Sequence, residues 1–170
     1  MPAPNPQGPV TLSVLDRIID QEPKNRSEAM PTYAQTLRLL KASLRRDLEF
    51  LLNTRRTPEE APDSASELQR SVYHYGLPDL TTLSARSVTD QNRLLKLIET
   101  TVANFEPRLA NVKVSLTPVT GTNRVLRFLI EGMLRIDPAP EHIAFDTVLE
   151  LTSGQYEVRG DANGRADPNA

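Results

Sequence analysis

The chain has 170 residues, a length that favours a single domain with a core of its own. Its 20 basic and 22 acidic side chains are mixed along the sequence, and the net charge of -2 gives no support for binding to nucleic acid or an anionic membrane. The absence of cysteine excludes disulfides, thiol nucleophiles, iron–sulfur clusters and thiolate zinc sites. With no signal-peptide pattern and no apolar run near the roughly 18 residues of a membrane span, we expect a cytosolic protein.

The N-terminal end combines a proline-rich tail with a short amphipathic segment. Residues 1–10 contain four prolines and are predicted to be disordered. Residues 11–20 predict a helix that Thr11 can cap, with its apolar side chains on one stripe: Leu12, Leu15, Ile18 and Ile19. Helices shorter than about 12 residues are marginal in water, so this helix must dock. Its own core and a partner protein are both open as the docking surface.

The strongest helical pattern runs from about Tyr33 to Asn53. Its apolar residues recur at spacings of three and four: Leu37, Leu40, Leu44, Leu48 and Leu51. This face predicts a core helix. Arg45 and Arg46 lie on the opposite side, which is either a solvated face or a contact for an acidic partner. A polar loop with two prolines follows over residues 57–66.

Residues 71–80 predict a shaped loop. Gly76 can adopt a positive backbone angle, and the following turn places Leu77 and Leu80 against the body of the protein. His74 is interpreted as a hydrogen-bonded loop residue, because the chain has no cysteine and its other histidine is distant in sequence.

A second helix is predicted from the cap at Ser87 to Phe105. Pro107 disfavours a helical conformation at Glu106, so the helix must stop at this point. In the extended segment that follows, Glu106 and Arg108 share one face. The pair is either an intramolecular ion pair that closes a loop or part of a surface that holds a partner.

Beyond this junction the period of the apolar residues changes from 3.6 to 2, which predicts antiparallel strands joined by short turns. Gly132 interrupts the alternation and indicates a bulge. The predicted fold is α+β: N-terminal helices, followed by an antiparallel meander of three to four strands that the helices cover on one face. The domain is predicted over residues 11–159, with a helical part at 33–105, a meander at 110–159 and a disordered tail at 160–170. The last strand is the predicted open edge, available for strand addition.

The sequence contains no pattern that carries catalysis. It has no glycine-rich phosphate loop, no Gly-x-Ser-x-Gly elbow and no His-Glu-x-x-His. Its paired acids are Glu59 with Glu60 in a loop and Asp146 with Glu150 on a strand, spacings that surface residues produce by default. We therefore expect neither an enzyme nor a cofactor or metal site.

Four blocks of sequence carry a resemblance to a known family. They are residues 13–20 (SVLDRIID), 45–56 (RRDLEFLLNTRR), 75–80 (YGLPDL) and 105–109 (FEPRL), in that order. Together they resemble TssE, the baseplate wedge subunits of type VI secretion systems, which are related to a small wedge protein of contractile phage tails. The resemblance spans about residues 12–158.

The resemblance implies a cytoplasmic structural protein with a sheath-initiator-like fold, in a baseplate docked at the inner membrane. It implies that the junction Glu106, Pro107 and Arg108 meets a wedge made by TssF and TssG, with TssK as an indirect partner, and that a sheet edge templates the TssB/TssC sheath. The residues expected to bind partners are Phe105, Glu106, Pro107 and Arg108 at the junction, and Leu12, Leu15, Ile18 and Ile19 near the N-terminus. A Glu106→Arg change is expected to weaken the interface and leave the isolated fold intact.

Two other functions stay open on the sequence. One is a cell-wall hydrolase of lysozyme-like type. The other is a free regulatory module with the same fold.

Overall fold

The computed structural model describes residues 12–19, 32–59, 62, 64–80, 87–117, 125–137, 139–150 and 153–161. Helices are α1 (Val14–Ile18), α2 (Tyr33–Asn53), α3 (Ser66–Gln69) and α4 (Val88–Phe105), with a 3₁₀ turn at Val72–His74. Strands are β1 (Leu109–Thr117), β2 (Val125–Leu134), β3 (Glu141–Glu150) and β4 (Gln155–Asp161). Disordered tails are predicted at residues 1–10 and 160–170, of which residues 1–10 and 162–170 lie outside the described residues.

The two long helices are confirmed where the sequence places them. Thr32 caps α2 in a reciprocal capping box with Gln35, and Ser87 caps α4 by accepting from the backbone of Asp90. The predicted apolar stripe of α2 contributes Leu40, Leu44, Leu48 and Leu51 to the core, and Leu37 packs partly buried against it. No helix in the described part of the chain is long and apolar enough to cross a membrane.

Helix α1 is shorter than its predicted span of residues 11–20. Its N-cap is Ser13, whose hydroxyl accepts from the backbone N–H of Asp16. Thr11, the predicted cap, lies outside the described residues. The Ser-x-x-Asp spacing is itself a helix-start signal, and it explains why the helix begins at Val14.

The sheet has four antiparallel strands in the order β1-β2-β3-β4, which confirms the predicted α+β meander. Alternate residues of the strands form one buried face: Phe128, Ile130 and Leu134 from β2, Ile143, Phe145 and Leu149 from β3, and Tyr156 and Val158 from β4. Helix α2 packs on this sheet towards β4, and α4 packs towards β1. The last strand continues to Asp161, two residues past the end predicted for the domain.

The predicted irregularity at Gly132 is confirmed, although the extra residue lies on the neighbouring strand. The register between β1 and β2 shifts between Ala110 and Lys113, and Asn111 in this gap has a φ of 53°. A Cβ on Gly132 would lie 3.2 Å from the carbonyl oxygen of Ala110. Glycine therefore allows the bulged backbone of β1 to approach closely.

The loop after the 3₁₀ turn is hydrogen-bonded to the end of α2, and Gly76 has the positive backbone angle that the sequence predicts. The N–H of Leu77 donates to the carbonyl of Thr54, and the N–H of Arg56 donates to the carbonyl of Leu77. Gly76 has a φ of 102°, and a Cβ there would lie 2.3 Å from the Thr54 carbonyl oxygen. Leu77 is consequently buried, and Leu80 packs partly buried against the core.

Candidate interaction site

The junction between α4 and β1 is built around a buried carboxylate. Glu106 is only 5% exposed, and its two side-chain oxygens accept from Nε and Nη2 of Arg108. The backbone N–H of Arg108 also donates to Glu106 Oε1, at 3.1 Å. Pro107 is exposed at the tip of the turn. The predicted pairing of Glu106 and Arg108 is thus confirmed, and the pair is intramolecular.

Arg108 extends the junction to helix α2. Its Nη2 donates to Asp47 Oδ2 at 2.7 Å, and its Nη1 donates to Ser43 Oγ at 3.2 Å. The hydrogen bond to Glu106 outweighs the effect of burial and raises the pKa of the Arg108 guanidinium. Arg108 therefore stays charged and donates to three side chains: Glu106 beside it, and Ser43 and Asp47 of α2.

Two residues of α2, Ser43 and Arg46, also hold helix α1. Ser43 Oγ donates to Asp16 Oδ2 at 2.7 Å, and Arg46 Nη2 donates to Asp16 Oδ1 at 3.0 Å. Arg46 also donates to Asp47 Oδ1, through Nε at 3.0 Å and Nη2 at 2.9 Å. These contacts close a circuit, which we call the polar ring: Asp16, Ser43, Arg46, Asp47 and Arg108.

The polar ring favours the ionised form of Asp16, whose side chain is 10% exposed. Burial alone would raise the pKa of this carboxyl, but hydrogen bonds from Ser13, Ser43 and Arg46 outweigh it and lower the pKa below its ordinary value. With Glu106 included, the cluster has three carboxylates and two guanidinium groups. Every one of these acids already accepts from an arginine within the chain.

An open pocket of about 350 Å³ lies beside the polar ring. Its polar lining comes from Ser13, Asp47, Glu106 and Arg108, and its apolar lining from Leu51, Tyr75, Phe105 and Pro107. The ring of Tyr75 contacts Phe105 edge-on at 5.3 Å between centroids and lies 6.3 Å from Phe50. Burial, with the charges of Asp47 and Glu106, raises the pKa of Tyr75, which keeps its hydroxyl neutral. The pocket thus combines aromatic walls with a charged rim, a composition suited to anchoring a partner side chain.

The residues predicted to bind partners near the N-terminus separate into two groups. Leu12 is partly buried against the core, so this residue docks on its own chain. Leu15, Ile18 and Ile19 are 58%, 73% and 46% exposed. Of the two docking surfaces that the sequence left open, α1 uses its own chain, mainly through its polar side. Docking on a partner stays a prediction.

Sequence reasoning missed the polar ring apart from Arg108. The sequence does not single out Asp16 and Ser43, and it leaves Arg46 on a face that is either solvated or in contact with an acidic partner. In the structure Arg46 pairs with two carboxylates of its own chain. The Ser13-x-x-Asp16 spacing and the polar positions beside the apolar stripe of α2 were the available signals. Neither signal indicates which distant side chain completes each contact.

The two edges of the sheet differ in their hydrogen bonding. At β4, Asn53 of α2 accepts from the N–H of Tyr156 at 2.9 Å and donates to its carbonyl at 2.8 Å. Glu49 accepts from the N–H of Val158 at 3.4 Å. The last strand, expected to offer an open edge, is therefore closed at Tyr156 and Val158 by side chains of α2. At β1, no described residue bonds the outward-facing backbone groups of the segment 112–116.

The acids and histidine weighed as catalytic groups lie in separate places. Glu59 accepts from the hydroxyl of Tyr73 at 3.2 Å, and Glu60 lies outside the described residues. Asp146 and Glu150 are on β3, and His74 lies in the 3₁₀ turn with its ring 5.4 Å from that of Tyr73. Within the described segments, no group of three or more metal-ligating side chains comes together.

Comparison with known proteins gives one match. The model of the family described as baseplate wedge protein gp25 matches residues 38–139, which is more than half of the chain and includes the junction. TssE belongs to this family, so the resemblance found in the sequence is confirmed at that level. Helix α1 and strands β3 and β4 lie outside the matched range. No curated protein and no solved structure matches the chain.

Proposed function

Since this chain belongs to the family of baseplate wedge protein gp25, a family of structural baseplate proteins, we propose that it is the TssE-type wedge subunit of a type VI secretion baseplate. In this role it joins the wedge core, made with TssF and TssG, to the contractile TssB/TssC sheath, and contacts TssK only indirectly. It works on the cytoplasmic side, in a baseplate docked at the inner membrane. The observation that carries the proposal is the hydrogen-bonded Glu106–Arg108 junction within the matched range.

The wedge contact is proposed at the surface around the junction. Glu106 is buried and bonded within the chain, so its part is to orient Arg108 and the turn. Exposed Pro107, half-buried Phe105 and the adjoining pocket are left to meet the partner. A preorganised turn loses little entropy on binding, which favours this surface over a mobile loop.

The sheath contact is proposed at β1. A strand edge with free N–H and C=O groups can add a strand from another protein, whereas the edge of β4 is occupied by Asn53 and Glu49. Half-buried Val112, Val114 and Leu116 alternate with exposed Lys113 and Ser115 along β1. An added strand with the same apolar and polar alternation would extend both faces of the sheet.

The hydrolase alternative has no support from the geometry at Glu106. A glycosidase requires two carboxyl groups about 5 to 9.5 Å apart across a cleft, one of them a proton donor. Glu106 accepts from Arg108 through both carboxylate oxygens, an arrangement that does not present a proton donor to a glycosidic oxygen.

Reconstitution tests the proposal directly. The full chain is co-expressed with TssF and TssG from the same gene cluster, and the isolated complex is imaged by electron microscopy. We expect co-purification of all three proteins, with this chain between the wedge core and the site of sheath attachment. Failure of the wild-type chain to join the complex, or release of sugar from peptidoglycan by the purified protein, would reject this function.

A further inference from the structure

The polar ring connects α1 to the junction through α2. Asp16 on α1 and Arg108 at the junction share no hydrogen bond or ion pair among the described contacts, and each is bonded to side chains of α2 instead. Two routes lead from one to the other. The first passes through the hydroxyl of Ser43, and the second passes through the charged pair of Arg46 and Asp47.

The hydroxyl of Ser43 is the shorter of the two routes. Its oxygen accepts from Arg108 Nη1 at 3.2 Å, and it donates its proton to Asp16 Oδ2 at 2.7 Å. A hydroxyl has a single proton to donate. A serine within a helix has another acceptor close by, the carbonyl four residues earlier, which here belongs to Leu39. The Ser43 hydroxyl therefore has two orientations, and only one of them holds α1.

Arg108 favours the orientation that holds α1. Its N–H points at the oxygen of Ser43, so the hydroxyl proton is turned away from the guanidinium and towards Asp16. A hydroxyl that accepts from a cation is polarised into a stronger donor, and one that donates to a carboxylate is polarised into a stronger acceptor. Ser43 is only 5% exposed, so little water competes for either contact. The two hydrogen bonds therefore strengthen each other.

The charged route acts in the same direction. Asp47 accepts from Arg46 through Oδ1 and from Arg108 through Oδ2, so each arginine has an oxygen of its own. Arg46 then donates to Asp16 Oδ1 at 3.0 Å. Charges of alternating sign thus run from the junction to α1. Without Arg108, Asp47 would have Arg46 as its only bonded cation among the described contacts, and would compete with Asp16 for it.

Helix α1 is sensitive to these contacts because little else holds it. It has five residues, none of them buried, and Leu12 just before it is only partly buried against the core. A helix this short has almost no stability of its own. Local opening of such an element costs little free energy, so one charged hydrogen bond is a large part of what keeps it in place.

We infer that Ser43 is a positioning residue that couples α1 to the junction, so that loosening or strengthening of either one is transmitted to the other through the polar ring. The coupling is reciprocal, because both contacts belong to one equilibrium. In a wedge complex, a partner that holds the junction in place would also hold α1. This consequence rests on the proposed function, whereas the coupling itself is a property of the chain alone.

The absence of cysteine allows α1 to be followed on the full chain with a single nitroxide label. Leu15→Cys places the label on α1 and Val88→Cys places it at the start of α4, at side chains that are 58% and 69% exposed. Arg108→Gln should raise the mobile fraction of the spectrum about threefold at position 15 and leave position 88 unchanged. Ser43→Ala should have the same effect. Asn53→Ala, which removes hydrogen bonds at the C-terminal end of α2, is the control and should change neither label.

The reverse direction is measured at Arg108. Its Nε–H donates to Glu106, and the exchange of this proton with water, measured by NMR, reports how firmly the guanidinium is held. Asp16→Ala should accelerate the exchange about threefold, and Ser43→Ala should do the same. Asp137→Ala removes an exposed carboxylate between β2 and β3 and should leave the rate unchanged.

Binding to TssF and TssG tests the consequence for the wedge. The Ser43 side chain is buried, so it acts on a partner only through the residues that it positions. Ser43→Ala should weaken binding by about threefold to tenfold. Thr89→Ala removes an exposed hydroxyl from α4 and should change binding by less than about twofold.

Several outcomes would overturn the inference. A label at position 15 that does not respond to Arg108→Gln, or Nε–H exchange that does not respond to Asp16→Ala, would show that α1 and the junction are held separately. Equal responses of both labels would show a general loss of stability instead of coupling. A response to Arg108→Gln without one to Ser43→Ala would reject Ser43 as the relay. If the wild-type chain does not bind TssF and TssG, the proposed function fails, while the label and exchange measurements still decide the coupling.

Discussion

The side-chain amide of Asn53 hydrogen-bonds both the N–H and the carbonyl of Tyr156, at 2.9 and 2.8 Å. One side chain at the end of α2 thus replaces a neighbouring strand at the outer edge of β4. The contact joins the helical part of the chain to the last strand. At the other edge, the outward backbone groups of β1 have no partner among the described residues.

Asn53→Ala should leave two backbone groups of β4 without partners. We expect the free energy of unfolding to fall by about 1 to 3 kcal/mol, because unpaired polar groups at a partly buried position are costly. Urea denaturation measures this loss, and light scattering reports self-association through the newly opened edge. Asn92→Ala, on the exposed side of α4, is the control and should change stability by less than about 0.5 kcal/mol. Equal effects of the two changes would contradict the assigned role of Asn53.

Two variants with one proline each in β1, Val114→Pro and Ser115→Pro, should distinguish an effect on folding from an effect on strand addition. Neighbouring residues of a strand direct their N–H groups to opposite sides, so one of these two N–H groups faces β2 and the other faces the open edge. Thermal unfolding identifies the variant that keeps its stability. We expect this variant to bind the wedge normally and to fail in sheath assembly, which electron microscopy of assembled sheaths detects. Normal sheaths on that variant would exclude β1 as the sheath contact.

Glu106→Gln should destabilise the isolated chain, in contrast to the expectation that changes at Glu106 spare the fold. The carboxylate is buried against Arg108, and its removal leaves a partly buried guanidinium with one partner fewer. We expect a loss of about 2 to 4 kcal/mol by urea denaturation. Glu157→Gln breaks an exposed pair with Arg159 and should cost less than about 0.5 kcal/mol. Unchanged stability of the Glu106 variant would show that the buried pair is dispensable for folding.

The attachment of α1 should depend on pH through Asp16. The pKa of Asp16 is lowered in the folded chain, so its contribution is complete above the unfolded pKa of about 3.9 and is lost as the pH falls through the folded value. Asp16→Asn should therefore cost about 1 to 2 kcal/mol at pH 6 and less at pH 2. Urea denaturation at both pH values tests this, with the exposed Asp137→Asn as control. A pH-independent cost would mean that the charge of Asp16 does not hold α1.

Gly76→Ala should loosen the loop from the end of α2. Its φ of 102° is strained for alanine, and the added Cβ would lie 2.3 Å from the carbonyl oxygen of Thr54. We expect a loss of about 3 kcal/mol in the free energy of unfolding. Gly160→Ala is the matched control, because nothing lies within 4 Å of a Cβ there and its backbone has no positive φ. Similar stability of the two variants would contradict the close contact between Gly76 and the carbonyl of Thr54.

The amino-acid sequence by itself determined the local elements of this protein. Helix limits follow from the caps at Thr32 and Ser87 and from Pro107, since each acts on the backbone within a few residues. The change from a period of 3.6 to 2 identified the meander, and the pairing of Glu106 with Arg108 followed from their spacing of two. These features are local, so they could be predicted without knowing the packing.

Only the tertiary structure decided how α1 is attached and which sheet edge the side chains of α2 occupy. The helical period of α1 defines an apolar and a polar side, but it does not say which side meets the body. That choice depends on Asp16 reaching Ser43 and Arg46, 27 and 30 positions away. Likewise, the edge of β4 is closed by Asn53, 103 positions before Tyr156. Partners so distant in sequence are brought together only by packing of the whole chain, which local patterns do not encode.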